Sequence, residues 1–377
     1  MDIRIPRRDL AAAVATAAHA LPHRPPVPVM AGLRLTASAD GRLEVAGFDY
    51  EVSTRATATC SVDQPGQALV SGRLLADITK ALPDQTVHIT TEASRAILTC
   101  GRSRFTLWLL PIDEFPALPE LPGVVGQVDA ELWAAAIAQT AIAAGRDDTL
   151  PVLTGIRVEV EGDKVVLAAT DRYRFAVREL LWKPQQAGHS AVALVPAKTL
   201  HETARSLAGA GSVDLALSAG ARGDGLLGLT GPDLAITTRL LEGEFPKFRA
   251  LFPTEFTSVA TVPTGPFAEA VKRVALVAER NTPIRLNLTQ DGLVIEAGSG
   301  DDAQAVDRLD ADLEGDDISI AFNPAYLLDG LTAANSPVTQ ISFVSPTKPA
   351  LLQGKADQDA EADDSFKYLI MPVRLSG

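Results

Sequence analysis

The residues of this chain that could do chemistry fall into patterns that each lack a necessary part. Gly223, Gly225 and Gly228 satisfy G-x-G-x-x-G, a spacing that cradles a pyrophosphate when a strand enters it and a helix leaves it. Alternating segments flank these glycines on both sides, so a hairpin loop is expected. Ser345 and Lys348 fit S-x-x-K, but the S-D-N and K-T-G elements that such a nucleophile works with do not occur. Asp357-Gln358-Asp359-Ala360-Glu361 opens like a calcium loop. Its sixth position lacks glycine and Tyr368 stands where a bidentate glutamate belongs, so a solvated acidic hairpin is expected. His19, His23, His88, His189 and His201 show no metal-ligand spacing. Cys60 and Cys100 are too few for a disulfide framework or a zinc site. They read as buried free thiols, with one disulfide between them left open. No catalytic residue, metal or cofactor is expected.

The elements that would carry any site recur along the chain. Three alanine-rich segments with an apolar stripe predict helices: Arg8-Asp9-Leu10-Ala11-Ala12-Ala13-Val14, Glu131-Leu132-Trp133-Ala134-Ala135-Ala136-Ile137 and Pro266-Phe267-Ala268-Glu269-Ala270-Val271. Each leads to a proline in an apolar run (Pro28, Pro151, Pro283), then to an alternating segment that predicts a strand: Leu33–Thr36, Ile156–Val160 and Leu286–Leu288. A second helix is predicted from Ser71-Gly72-Arg73, Pro196-Ala197-Lys198 and Asn323-Pro324-Ala325, with serine or asparagine as cap and proline in the first turn. Phe115-Pro116, Phe245-Pro246 and Met371-Pro372 are expected to close the last strand of each copy. Four landmarks in one order at nearly constant spacing define a repeat of about 125 residues. The fold class is α+β: three tandem helix/antiparallel-sheet units at 1–123, 124–255 and 256–377, both helices on one face of a sheet.

Composition sets limits on partners. No apolar run is long enough to span a bilayer, and the N-terminus has no continuous apolar stretch of the signal-peptide kind. A cytoplasmic protein is expected, in which the sequon Asn287-Leu288-Thr289 stays idle. The net charge of −13 argues against nucleic acid only as a whole-molecule average. Screening confines each charge to roughly 10 Å, so one basic surface on an acidic protein can still bind DNA.

Three stretches, taken with the threefold repeat, resemble one family. They are Ala168-Ala169-Thr170-Asp171-Arg172-Tyr173-Arg174-Phe175-Ala176, Glu242-Gly243-Glu244-Phe245-Pro246-Lys247-Phe248-Arg249 and Tyr368-Leu369-Ile370-Met371-Pro372-Val373-Arg374-Leu375. The whole chain is similar to the bacterial DNA polymerase III β subunit, the sliding clamp. The resemblance implies a non-catalytic processivity factor. It would form a head-to-tail homodimeric ring around double-stranded DNA, helices inside and sheets outside, holding DNA without base contacts. Implied partners are the DNA polymerase III catalytic subunit, the clamp-loader complex, and other polymerases and repair proteins carrying clamp-binding peptides; no membrane is implied.

Site residues follow from the same resemblance. A partner-peptide pocket is implied at Leu153, Thr170, Arg172, Tyr173, Arg174, Phe175, Pro246, Leu251, Leu369, Met371, Pro372, Val373 and Arg374. DNA contacts are implied at Arg24, Arg73, Arg146 and Lys198, with Arg7, Lys80 and Arg205 also expected to face the hole. The dimer seam is implied at Phe105 and Leu107 against Leu276 and Val277 of a second copy. The chain departs from the pattern at Arg172, where the familiar motif has glycine, and at Ser376-Gly377, beyond the leucine that often ends such chains. An enzyme with its site between units is the competing class and would need a clustered polar set. A specialised paralogue of the clamp is a further alternative.

Overall fold

The computed structural model describes residues 1–22, 24–218, 225–278, 282–298 and 304–374. His23, Gly223, Leu375, Ser376 and Gly377 lie outside the described residues. Six helices are present among the described residues: α1 (Arg7–Ala18), α2 (Gly72–Ala81), α3 (Ala130–Ala141), α4 (Ala197–Leu207), α5 (Thr264–Ala275) and α6 (Pro324–Ala334). Buried positions on α1 are Leu10, Ala13, Val14 and Ala17, and on α5 Phe267, Ala270, Val271 and Val274. Both sets follow i, i+3, i+4, i+7, the stripe of a helix packed on one side.

The starts of the second helices differ in chemistry. Asn323 caps α6: its Oδ1 accepts the N–H groups of Ala325 at 2.9 Å and Tyr326 at 3.4 Å, and Pro324 occupies the first turn. Ser71 makes no side-chain cap bond to α2, and Pro196 ends the strand before α4 instead of opening the helix. Pro28 and Pro151 open short 3-10 turns. Of the three closing prolines, only Pro372 lies close to a strand end, with one residue between it and Phe366–Ile370; Pro116 and Pro246 lie in the connections well past Ser103–Trp108 and Leu234–Arg239.

The strands correct the expectation of one sheet per unit. They form four antiparallel sheets, and the two largest have nine strands each. One joins Leu234–Arg239 to Val52–Thr59, with Ile236 opposite Thr54. The other joins Arg174–Leu181 to Phe366–Ile370, with Phe175 opposite Leu369. Neighbouring repeats are therefore stitched by β-ladders as well as by their proline-containing connections. By contact density the chain divides into two compact units: Met1–Glu131 with Lys183–Ala187 and Glu202–Leu240, and Leu132–Trp182 with Gly188–His201 and Leu241–Gly377. The repeat is a unit of sequence; the shared sheet is a unit of packing.

Each unit has its own core. In the first, Leu10 and Val14 of α1 and Leu75 and Ile78 of α2 fill the space between two sheets, meeting Ile3, Ile5 and Ile89 from one and Leu33, Leu35 and Val45 from the other. Burial of this kind is the dominant stabilising term. Cys60 and Cys100 are buried free thiols here. In the second unit Phe175, Phe245 and Phe248 cluster with Leu351 and Leu369. Phe175 stacks on Phe248 at 5.4 Å and meets Phe245 edge-on at 5.9 Å, both favoured aromatic geometries. No helix of the described residues is long and apolar enough to cross a membrane.

Candidate functional site

The turn between the strands Lys164–Thr170 and Arg174–Leu181 builds the site. Asp171 Oδ1 accepts the backbone N–H groups of Tyr173 at 3.0 Å and Arg174 at 3.1 Å. Thr170 Oγ1 donates to the Arg174 carbonyl at 2.7 Å and accepts the Arg172 N–H at 3.1 Å. Aspartate and threonine at these places close a tight turn through their own side chains. The turn forces Arg172 to φ +81 and displays Tyr173.

Helix α6 supplies the facing wall. Gly330 lets it lie against Tyr368, since a Cβ there would stand 2.6 Å from the tyrosine ring. The Tyr368 hydroxyl donates to the Tyr326 carbonyl at 2.8 Å, fixing the first turn of α6. Tyr326 then stacks on Tyr173, 6.2 Å between centroids and 24° between planes. Between these walls lies a recess of about 550 Å³, lined by Arg146, Asp147, Leu150, Leu153, Asp171, Arg172, Tyr173, Arg174, Ala325, Tyr326 and Asp329, with Ala144 and Gly145. That volume is in the range of ligand and peptide sites.

Charge in the recess is unevenly matched. Arg174 is 6% exposed, donates from Nε to Asp171 Oδ2 at 3.0 Å, bonds Asp329, and lies over the Tyr326 ring at 4.4 Å. Burial opposes its charge, but Tyr368, Asp329 and Asp171 outweigh burial and hold the guanidinium above its ordinary pKa. Burial also pushes the Tyr368 phenol up, so it stays a neutral donor. Hydrogen bonds from the Thr149 hydroxyl and N–H, with the Arg172 charge, hold the Asp147 carboxyl below the usual carboxylate range. No nucleophile–base pair occurs among these groups; aromatic faces and fixed charges suit them to binding.

The residues implied for the pocket are only partly brought together. Leu153, Arg172, Tyr173 and Arg174 line the recess, and Thr170 ties its turn. Met371 lies 43% exposed beside it, its N–H donating to the Tyr173 carbonyl at 2.9 Å; Val373 N–H reaches the Ala321 carbonyl at 2.8 Å. Pro372 is half-buried and Arg374 exposed on the same segment. Phe175 and Leu369 sit in the aromatic core behind the turn, because their strands pair directly. Pro246 lines a second recess of about 610 Å³ with Arg157, Glu159, Phe245, Lys247 and Arg249, and Leu251 is exposed at the end of that segment. There the buried Glu159 bonds both Arg157 and Arg249. Burial raises its pKa, yet the two arginines hold it below the usual carboxylate range.

Asp147, Leu150, Asp171, Tyr326 and Asp329 were not among the residues expected in the pocket. One signal for two of them existed: Tyr326 and Asp329 stand i, i+3 in the first turns of α6 and so share a face. Arg146, implied for DNA, lines the recess. Arg24 and Arg73 are exposed in the first unit, with Arg73 reaching the Pro22 carbonyl at 3.3 Å; Lys198 is exposed on α4 in the second. Of the residues implied for the dimer seam, Leu107 is 4% exposed inside the first core with half-buried Phe105 against it, while Leu276 is 84% exposed beyond α5 and Val277 half-buried.

Three family models match the chain in order: the N-terminal domain of the DNA polymerase III beta subunit at residues 1–119, its central domain at 127–247 and its C-terminal domain at 249–374. A beta sliding clamp from Streptomyces coelicolor is 62% identical over 377 residues, covering all of both chains. The beta sliding clamp homolog GriR from Streptomyces muensis is 46% identical, again over all of both. Among solved structures, the DNA polymerase sliding clamp of Bacillus subtilis superposes with a TM-score of 0.91 at 26% identity, covering all of both chains. A sliding clamp from Pseudomonas aeruginosa bound to griselimycin gives 0.91 at 27% with the same coverage.

Proposed function

Because the chain belongs to the DNA polymerase III beta subunit family, we propose that two copies close head to tail around duplex DNA and that the recess beside Tyr173 and Tyr326 receives partner peptides. The protein is a DNA sliding clamp, a processivity factor with no catalytic part. Three units, placed at 1–123, 124–255 and 256–377, give each copy half of the ring. The strand Ser103–Trp108, outermost in its sheet, and the exposed Leu276 beyond α5 supply the two sides of the seam. A sheet edge left open invites pairing, and ring closure uses it up.

DNA is held through phosphates by Arg24, Arg73, Lys198 and Arg146, with retention supplied by the closed ring. Contacts of that kind carry no sequence information and weaken with salt, which suits sliding. The protein works in the cytoplasm, where the polymerase catalytic subunit, the clamp loader and repair proteins dock by short peptides.

The observation that carries the peptide reading is the recess itself: an open groove whose apolar floor, Leu150, Leu153, Tyr173 and Tyr326, is bordered by fixed polar groups. The griselimycin-bound relative supports a ligand-taking site on this fold. Alanine at Tyr326 tests it. Fluorescence anisotropy with a peptide from a polymerase partner is expected to show about tenfold weaker binding, with the dimer intact by light scattering. Unchanged affinity places the peptide elsewhere.

A further inference from the structure

Residues 242–252, which link the second repeat to the third, back the recess without belonging to its lining. Phe248 stacks on Phe175 at 5.4 Å, and Phe245 and Phe252 meet that ring edge-on at 5.9 Å and 6.2 Å. Phe175 is the chain neighbour of Arg174, which lines the recess. Gly243 lies so close to Val152 that a Cβ there would overlap a methyl group of the valine. Val152 in turn stands between Leu150 and Leu153, part of the apolar floor. The turn at Asp171–Arg174 and the short turn Pro151–Thr154 therefore rest on one connection.

The backbone of that connection is barely laced. Among the described residues no N–H from Glu242 to Ala250 meets a backbone carbonyl; such bonds occur only at its ends, from Leu241 N–H to the Leu194 carbonyl at 2.7 Å and from Leu251 N–H to the Phe248 carbonyl at 2.9 Å. A segment with so few bonds opens easily unless side chains hold it. Besides the phenylalanines, the holding group is Glu159, 8% exposed, which accepts from Arg157 Nε and from Arg249. The Arg249 guanidinium also lies 5.0 Å from the Phe248 ring centroid, so one side chain joins the acid to the aromatic backing. The first repeat is built differently. Its strand runs Gly32-Leu33-Arg34-Leu35-Thr36 where the second has Gly155-Ile156-Arg157-Val158-Glu159; Thr36 stands at the place of Glu159, and Arg34 turns to Glu44 at 3.4 Å. A buried carboxylate is costly to keep, and the second repeat keeps one where its connection backs the recess.

We infer that Glu159 is a positioning residue for the recess: through Arg249 it holds residues 242–252 where they keep the Asp171–Arg174 turn and residues 150–153 set for a peptide. The inference rests on the reading of the recess as the peptide site. Neither Glu159 nor Arg249 touches the peptide in this arrangement; they fix the groups behind the ones that do.

The test uses the full-length protein and a fluorescein-labelled, acetylated hexapeptide containing Leu-Phe, whose apolar side chains match the floor of the recess. Arg249→Ala and Glu159→Gln are each expected to weaken binding about threefold to tenfold by anisotropy, the scale of coupling between packed neighbours. Both are also expected to speed trypsin cleavage after Lys247, which the burial of the next residue, Phe248, holds back in the parent. The double variant is expected to bind no more weakly than either single one, because both remove the same contact. Arg249→Lys, which keeps the charge, is expected to recover part of the affinity. Arg4→Ala breaks the Arg4–Asp63 pair of the first unit and is expected to bind the peptide as the parent does. Unchanged affinity in Arg249→Ala overturns the inference, as does additive weakening in the double variant or equal weakening by Arg4→Ala. Weaker affinity with cleavage unchanged overturns it as well, since Arg249 would then contact the peptide itself. If the peptide does not bind the parent, the recess reading falls and the inference with it.

Discussion

Arg174 is engaged from within the protein before any partner arrives. Its fork is divided between Asp171 and Asp329, and its face is covered by Tyr326. Removing it strands two carboxylates against a recess. A buried pair broken this way costs several kcal/mol, less here because the Asp329 side chain is 45% exposed. Arg174→Ala is thus expected to destabilise by about 2 kcal/mol in urea unfolding and to weaken peptide binding with it. Stability unchanged within error would show the network to be idle. Glu159 gives a pH test. Its folded pKa is depressed by Arg249 and Arg157 against burial, so its stabilisation is complete above the unfolded carboxylate value, about 4.3, and is lost as pH falls through the folded one. The melting difference between parent and Glu159→Gln should be full at neutral pH and shrink under acid; a difference constant with pH contradicts the assignment. Half of this chemistry was legible in the sequence. Asp171 and Arg174 stand three apart in one motif, whereas Asp329 is 155 residues from its arginine, and only folding brings them together.

The walls of the recess depend on how two elements seat against each other. Gly330 lies over Tyr368 so closely that any Cβ forces helix and ring apart. Gly330→Ala gains helix propensity of about 1 kcal/mol but overpacks a rigid aromatic contact, which costs about 1–3 kcal/mol. Net destabilisation by calorimetry is expected, with weaker peptide binding because Tyr326 moves; a more stable variant with unchanged binding would refute the seating argument. The helices were readable from alanine-rich stripes such as Leu10, Ala13, Val14 and Ala17, and the α6 cap from Asn323-Pro324. The sheets were not. That Arg174–Leu181 pairs with Phe366–Ile370 is a long-range choice, and a local alternation pattern names a strand without naming its neighbour. The sequence repeat suggested self-contained sheets, while the fold shares strands between repeats.

At the scale of the whole molecule, each side of the seam proposed for a second copy carries an exposed apolar side chain. Leu276 is 84% exposed, and Trp108, capped by Arg95 at 4.5 Å, is 64% exposed on an outermost strand. Light scattering is expected to give twice the 39.7 kDa chain mass, and Leu276→Asp to shift the population toward monomer; a dimer untouched by that change moves the seam elsewhere. Phosphate contacts of the kind proposed weaken with salt, so in the proposed ring retention is expected to come from closure. The direct measurement is retention on DNA before and after the ends are opened: protein is loaded by the clamp loader onto nicked circular DNA, the circle is cut once, and bound protein is followed by gel filtration. The account predicts stable co-elution with the circle and rapid loss from the linear product. Equal retention on both would contradict a topological clamp.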